Sequence, residues 1–345
     1  MKRALLSAVE TIQIEDVPTA HPAAGEVRVA IDACGICGSD LHMYHGDHPV
    51  LRPPLVMGHE FVGRVVEVGP GARELRVGDR VIGMAGRGCN ECEACLEGNY
   101  NWCEQLKVIG GHIPGALAEE LTLPAEQFLT IAESIPVDQA SLIELGAVAM
   151  HTINRYGDNR YDEVGGKNVL VLGAGPVGLV LTRVLRALGA AKIVASDVSA
   201  TRREMAQASG ADLVIDPRVE GAEDQVRAMF PRGLDVAFDC AGREASLLSA
   251  LRLTRRGAAI VLTAIFPPEC TIPMAQVQRA ERRLIGVQMY QRSDFEMTIK
   301  LMEEGRLDLS GIVTHEVPLA RTAEAFRLLA SPDAAAGKVL IRVQG

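Results

Sequence analysis

Apolar and polar positions change their rhythm near residue 146. Beyond it, short continuous apolar blocks alternate with stretches of helical period. Val169-Leu170-Val171-Leu172 reads as a buried strand, followed by a helix over 176–188 and a strand over 192–196. A helix over 200–209, a strand over 213–215, a short helix over 225–229 and a strand over 235–238 continue the pattern. A helix over 246–253 and a strand over 258–262 follow, and 147–156 has helical composition ahead of the series. Such alternation implies a parallel sheet covered by helices on both faces. Before residue 146 the chain is richer in glycine, proline and short apolar runs. Residues 27–31 and 61–68 have the interrupted apolar pattern of half-buried strands, and Gly69-Pro70-Gly71 marks a turn after the second. This part predicts an irregular, mostly β domain. Roughly the last fifty residues return to a mixed pattern and end in a strand-like run over 338–343. The expected class is α/β, a mostly β part joined to a doubly wound parallel sheet.

A length of 345 residues fits two domains of ordinary size. The formal net charge of −9 argues against a nucleic-acid binder or a binder of anionic membranes, since phosphate-rich surfaces need basic partners. No stretch of 18 or more apolar residues is present, so no membrane span is expected. Lys2 and Arg3 precede an apolar stretch too short for a secretory signal, and a cytoplasmic location is the expectation. Of the eight cysteines, four crowd together as Cys89, Cys92, Cys95 and Cys103. Cys34 and Cys37 lie close to each other, and Cys240 and Cys270 are isolated. In a large acidic chain this distribution suits metal binding and buried thiols better than disulfides.

Gly173-Ala174-Gly175-Pro176-Val177-Gly178 fits G-x-G-x-x-G between an apolar strand and a helix, and Asp197 ends the next strand. These are the conditions of a Rossmann fingerprint. Gly173 permits the turn, Gly175 admits the pyrophosphate, and Gly178 lets helix and strand approach. The helix N-terminus supplies donors to phosphate. Pro176, Val177, Arg202 and Leu262 complete the expected cofactor contacts. A free carboxylate at Asp197 accepts from the ribose hydroxyls and repels a 2′-phosphate, which favours NAD. Arg202 and Arg203 keep NADP in play, since arginine pairs with that phosphate.

Cys89-x2-Cys92-x2-Cys95-x7-Cys103 offers four sulfur ligands to one ion. Four thiolates close the coordination sphere, as in structural zinc, with an iron–sulfur cluster or free thiols as alternatives. A second, dispersed set is Cys37, His59, Glu60 and Glu144. Such residues singly are ordinarily core or surface. Gly58-His59-Glu60-x2-Gly63-x5-Gly69, however, resembles the signature of the zinc-containing medium-chain dehydrogenases. The run from Cys34 to His42 resembles their catalytic-zinc loop, the cysteine lobe their structural-zinc lobe, and the Rossmann fingerprint stands where theirs does. The likeness covers essentially the whole chain and is greatest to the sorbitol, threonine and butanediol dehydrogenase branch.

That resemblance implies a GroES-like catalytic domain of residues 1–146 and 287–345 carrying two zinc sites, and a Rossmann NAD domain of 147–286. Cys37 and His59 become ligands of a catalytic zinc. Glu60 is a ligand or sits just behind the metal, Glu144 binds directly or through water, and Asp40 orients His59. Zinc lowers the pKa of a bound hydroxyl, and hydride passes to the nicotinamide. Ser39, the nicotinamide ribose hydroxyl and His42 then form a proton path to solvent. Met43, Tyr44, Met289 and Tyr290 border the expected substrate region, the tyrosines as possible hydroxyl donors. The implied function is oxidation of a secondary alcohol or polyol, or its reverse, by a homodimer or homotetramer. An NADP-linked aldehyde or ketone reductase of the same fold and a silent zinc-binding nicotinamide sensor are the alternatives.

Overall fold

The computed structural model describes residues 1–330 and 336–344. The chain divides into two units, Met1–Glu144 with Val313–Gly345, and Leu145–Ile312.

The first unit is built on a seven-stranded sheet. Its strands run in the order Phe128–Thr130, Arg80–Gly83, Glu60–Val68, Glu26–Gly35, Lys338–Arg342 and Val313–Pro318, with Glu120–Pro124 also paired to Glu26–Gly35. The two strands expected near 27–31 and 61–68 are both longer, because Ala33, Cys34, Gly35 and Glu60 are also buried and paired. Register decides where the chemistry falls. Gly35 lies opposite Glu60 on one side and opposite Leu340 on the other. Three strand ends therefore meet, with Cys37 just past the first, His59 just before the second and Lys338 opening the third.

A helix, Gly38–His45, starts at Cys37. The Cys37 N–H donates to Asp40 Oδ2 at 2.9 Å, which satisfies one of the free donors of the first turn. Gly46 ends the helix in the left-handed region at φ 75°. Met43 and Tyr44 anchor its buried side, and the Tyr44 ring lies 5.2 Å from that of Phe326. A separate hairpin of Gly86–Arg87 and Lys107–Val108 carries the four-cysteine lobe.

The second unit is a six-stranded parallel sheet in the order Leu213–Ile215, Lys192–Ser196, Asn168–Leu172, Leu234–Asp239, Thr254–Leu262 and Arg283–Gly286. Its first five strands match the apolar blocks in the sequence. The sixth was not expected, since it is short and opens on arginine. Leu170, Val194, Ala237 and Ile260 pack with Val226, Leu247 and Leu251 from the covering helices. Leu172 is level with Ser196 and with Asp239, so the loops after these strands leave the same edge of the sheet. Chain order reverses between Asn168–Leu172 and Leu234–Asp239, the place where open parallel sheets bind ligands.

The second crossing between units falls at Ile312–Val313, whereas 287 was expected. The helix Arg292–Glu303 belongs with the sheet because its Asp294 is fully buried there. Tyr161 Oη donates to Asp294 Oδ1 at 2.9 Å, and His151 Nδ1 lies 2.8 Å from Oδ2.

Candidate active site

Cys37, His59 and Glu60 present one donor atom each within 4.8 Å of one another. Glu60 turns back against Gly35, where a Cβ would collide with Glu60 Oε2, so only glycine leaves that space. The Glu60 side chain is fully buried, and Lys338, exposed by 2%, is its partner. Lys338 Nζ donates to Glu60 Oε1 at 2.7 Å and to the Ile36 carbonyl at 2.9 Å. It also lies 2.6 Å from Oε2, but without hydrogen-bond alignment, and Oε2 has no hydrogen-bond partner.

His59 Nδ1 is 3.8 Å from Asp40 Oδ1 and is likewise buried without a hydrogen bond. Burial alone would lower the histidine. The Asp40 charge, the Cys37 sulfur and the Glu144 charge outweigh it and hold the ring well above the usual histidine range. Asp40 itself is raised by burial, against the pull of His59. Glu144 is buried in the first turn of the helix Ile143–Tyr156, outside the three-residue group, yet its charge reaches both His59 and Lys338. A cation held by Cys37, His59 and Glu60 would be favoured further by the Asp40 and Glu144 charges that act on His59.

The donors fit zinc: thiolate, imidazole and carboxylate are its usual ligands. Cys34, next along the sequence, is fully buried, and burial pushes its thiol well up, as suits a packed side chain.

Ser39 and His42 lie on the helix Gly38–His45, the serine half-buried and the histidine exposed. His42 Nδ1 is 3.0 Å from Asp47 Oδ1, a partner that sequence reading missed. The Tyr44 and Tyr290 rings, possible hydroxyl donors to substrate, are both buried. Tyr290 stands edge-on to Phe295 at 4.7 Å.

In the lobe, the atoms of Cys89, Cys92, Cys95 and Cys103 also lie within 4.8 Å of one another. The sulfurs of Cys89 and Cys95 are 3.9 Å apart. A tetrahedron with metal–sulfur arms of about 2.3 Å has edges of about 3.8 Å, so the spacing fits an ion. Backbone N–H groups of Glu91 and Cys92 pull Cys89 down to about 6. Cys92 is pushed up to about 12: the Cys95 N–H works against this rise, and the neighbouring sulfurs drive it. Trp102, the single tryptophan of the chain, sits beside Cys103 and is 51% exposed.

In the second unit, Gly173 has φ 88°, and Gly175 caps the helix Pro176–Ala187 with Pro176 in its first turn and Val177 after it. A Cβ on Gly175 would meet open space, the room a pyrophosphate needs, whereas one on Gly178 would run into the Gly173 carbonyl. Asp197 is 8% exposed. Its Oδ2 accepts from the Ala174 N–H and its Oδ1 from the Ser199 N–H, each at 2.8 Å. Leu262 ends its strand on the same edge of the sheet.

Residues 23–133 match the family model described as the alcohol dehydrogenase GroES-like domain, and 176–304 that of the zinc-binding dehydrogenases. The chain belongs to the zinc-containing alcohol dehydrogenase family. It is 31% identical to the L-idonate 5-dehydrogenase of Vitis vinifera, over 94% of this chain and 90% of that protein. Two solved structures superpose with a TM-score of 0.90, each covering 99% of both chains. One is a zinc-binding dehydrogenase of Sinorhizobium meliloti bound to NADP, 28% identical, and the other an Escherichia coli alcohol dehydrogenase complexed with NADH, 29% identical. Further relatives are named for L-galactonate, threonine, sorbitol and butanediol. The chain is accordingly an oxidoreductase of the alcohol and polyol type that works with a nicotinamide cofactor.

Proposed function

We propose that the chain oxidises a secondary alcohol within a polyol, diol or hydroxy acid, or reduces the corresponding ketone, with NAD and with two zinc ions per chain. The observation that carries this reading is the meeting of Cys37, His59 and Glu60 within 4.8 Å beside the buried charges of Asp40 and Glu144. Cys37 and His59 hold the catalytic ion, with Glu60 or Glu144 completing the set directly or through water. The four cysteines of the lobe hold the other.

When bound, zinc supplies a Lewis acid and NAD the hydride acceptor. The chain supplies position and a route for the proton. Asp40 sets the orientation of the His59 ring. Ser39 Oγ receives the substrate proton from the half-buried side of its helix. His42, one turn further on, passes it to solvent. With Nδ1 held by Asp47, Nε2 is the atom left to accept. Asp197, Gly173, Gly175, Pro176, Val177, Gly178, Arg202 and Leu262 hold the dinucleotide.

A homodimer or homotetramer is part of the same proposal, supported by the edge position of strand Arg283–Gly286. So is a cytoplasmic location: no helix among the described residues is long and apolar enough to cross a membrane. The test is a panel of polyols, diols and hydroxy acids followed by cofactor absorbance, with metal analysis and light scattering on the same protein. Reduction of NAD by at least one vicinal diol or hydroxy acid at two zinc ions per chain is expected. Full activity with one zinc or none, or faster turnover with NADP, overturns the reading.

A further inference from the structure

The end of the second sheet strand is crowded with opposite charges whose arrangement bears on the choice of cofactor. Ser196 is level with Ile215 across two parallel strands, and the Asp197 N–H donates to the Ile215 carbonyl at 3.2 Å. Asp216 therefore leaves the sheet directly beside Asp197. Three arginines, Arg202, Arg203 and Arg218, lie close by in sequence.

Asp216 takes two of them. Arg203 Nη1 donates to Asp216 Oδ2 at 3.1 Å. Arg218 Nη2 donates to Oδ2 at 2.7 Å and its Nε to Oδ1 at 3.0 Å. The same two guanidinium groups are pinned by backbone carbonyls. Arg203 Nη1 donates to Asp197 O at 2.8 Å and to Val198 O at 3.0 Å, and Arg218 Nη2 to Val198 O at 2.6 Å. Arg218 is exposed at its side chain, whereas Asp216 is largely covered. Arg202, whose Nε is buried without a hydrogen-bond partner, stands outside this pair.

A 2′-phosphate is recognised by guanidinium groups free to turn toward it and to offer paired donors. We propose that Asp216 is a specificity-determining residue that withholds Arg203 and Arg218 from the adenosine ribose, so that NAD is selected over NADP by two carboxylates of different task. Asp197 meets the ribose hydroxyls, and Asp216 restrains the cations that would otherwise welcome a phosphate. The charges of the quartet cancel as they stand. Removing Asp216 releases a net positive charge next to the ribose, and removing Asp197 as well doubles it. The inference rests on the NAD reading and gives it a second determinant.

Adenosine 5′-monophosphate and adenosine 2′,5′-bisphosphate separate the two, because they need no turnover. Their affinities for the full zinc-loaded chain are measured by calorimetry for wild type, Asp216→Asn, Asp197→Ser, the double variant, and Asp216→Asn combined with Arg218→Ala or with Arg203→Ala. Asp216→Asn should gain about tenfold for the bisphosphate, with the monophosphate changed by less than about twofold. The double variant should gain more, and adding Arg218→Ala or Arg203→Ala should cancel most of the gain. A wild type that prefers the bisphosphate overturns the NAD reading itself. A wild type that prefers the monophosphate, with no gain on Asp216→Asn or a gain that survives the loss of each arginine in turn, overturns the role of Asp216 alone. Should Asp216→Asn fold poorly, Arg203→Ala and Arg218→Ala in the wild-type background decide the matter. Withheld arginines predict that neither substitution alters bisphosphate affinity by more than about twofold, and a larger loss shows that they already serve the ligand.

Discussion

Lys338 and Glu60 face each other where water does not reach, at 2% and 0% side-chain exposure. Removing one partner of a buried pair costs about 3–5 kcal/mol, because the other charge is left without compensation. Lys338→Met should therefore lower urea stability by that order, and Lys338→Met with Glu60→Gln should recover most of it. Equal losses in the single and double variants would show that the methylene stem matters and the charge does not. Ser39→Ala tests the proton route. Turnover should fall about 10²- to 10⁴-fold, the worth of a general-base step, while cofactor affinity stays near wild type. His42→Ala should lose less and regain part of its rate in imidazole buffer, because an exposed terminal base is replaceable. Near-normal turnover for Ser39→Ala would move the proton elsewhere. Cys37, His59 and Glu60 were legible because their motifs are compact in sequence. Lys338 was not, since it is separated from Glu60 by 278 residues and reads only as the first residue of a strand.

At the scale of elements, the four-cysteine lobe stands on a two-stranded hairpin with two short helical turns, Glu93–Leu96 and Tyr100–Trp102. Such pieces are too short to hold themselves, so the ion proposed for the four cysteines would organise them. Cys95→Ser should halve the zinc content and make residues 86–108 the first site of protease cleavage, with lower yield of folded chain. A protease-resistant lobe with one zinc fewer would show that the hairpin is self-supporting. Alternating strands and helices of the second unit were readable because each apolar block is continuous and each helix is periodic. The helix Gly38–His45 was not read as one. It is short, it begins on a cysteine, and its hydrophobic side is only Met43 and Tyr44. The boundary near 287 was misplaced for a related reason. An amphipathic helix such as Arg292–Glu303 announces a buried face but not the partner that buries it, and Asp294 found its partners at His151 and Tyr161.

Across the whole molecule, carboxylates tie the second unit together and set its response to acid. Burial works against ionisation of Asp212, but the Ile193 N–H, Lys192 and Arg186 outweigh it and hold the group below the usual carboxylate range. Asp235 is lowered in the same way by the Asn168 N–H and Arg255, and Glu223 is lowered first by its bond to Arg252. Folded values below unfolded ones mean stability that is complete above about pH 4 and lost as pH falls through the depressed values. Urea midpoints should hold between about pH 7 and pH 5 and then drop. Asp212→Asn should be weaker than wild type at neutral pH and nearly equal to it by about pH 2–3. A difference that stays constant with pH would assign the effect of Asp212 to packing.

The lone Trp102 gives the protein an optical address. Its half-exposed indole stands beside Cys103, in the lobe and far from the sheet cores in sequence. Emission excited at the red edge of the protein band therefore watches the lobe alone, while circular dichroism watches every helix and strand. A melting curve recorded by tryptophan would report opening of the lobe, with loss of the ion proposed for it, and would precede global unfolding. Two such curves that fail to superimpose would mark a partly unfolded species in which the lobe has opened while both sheets persist.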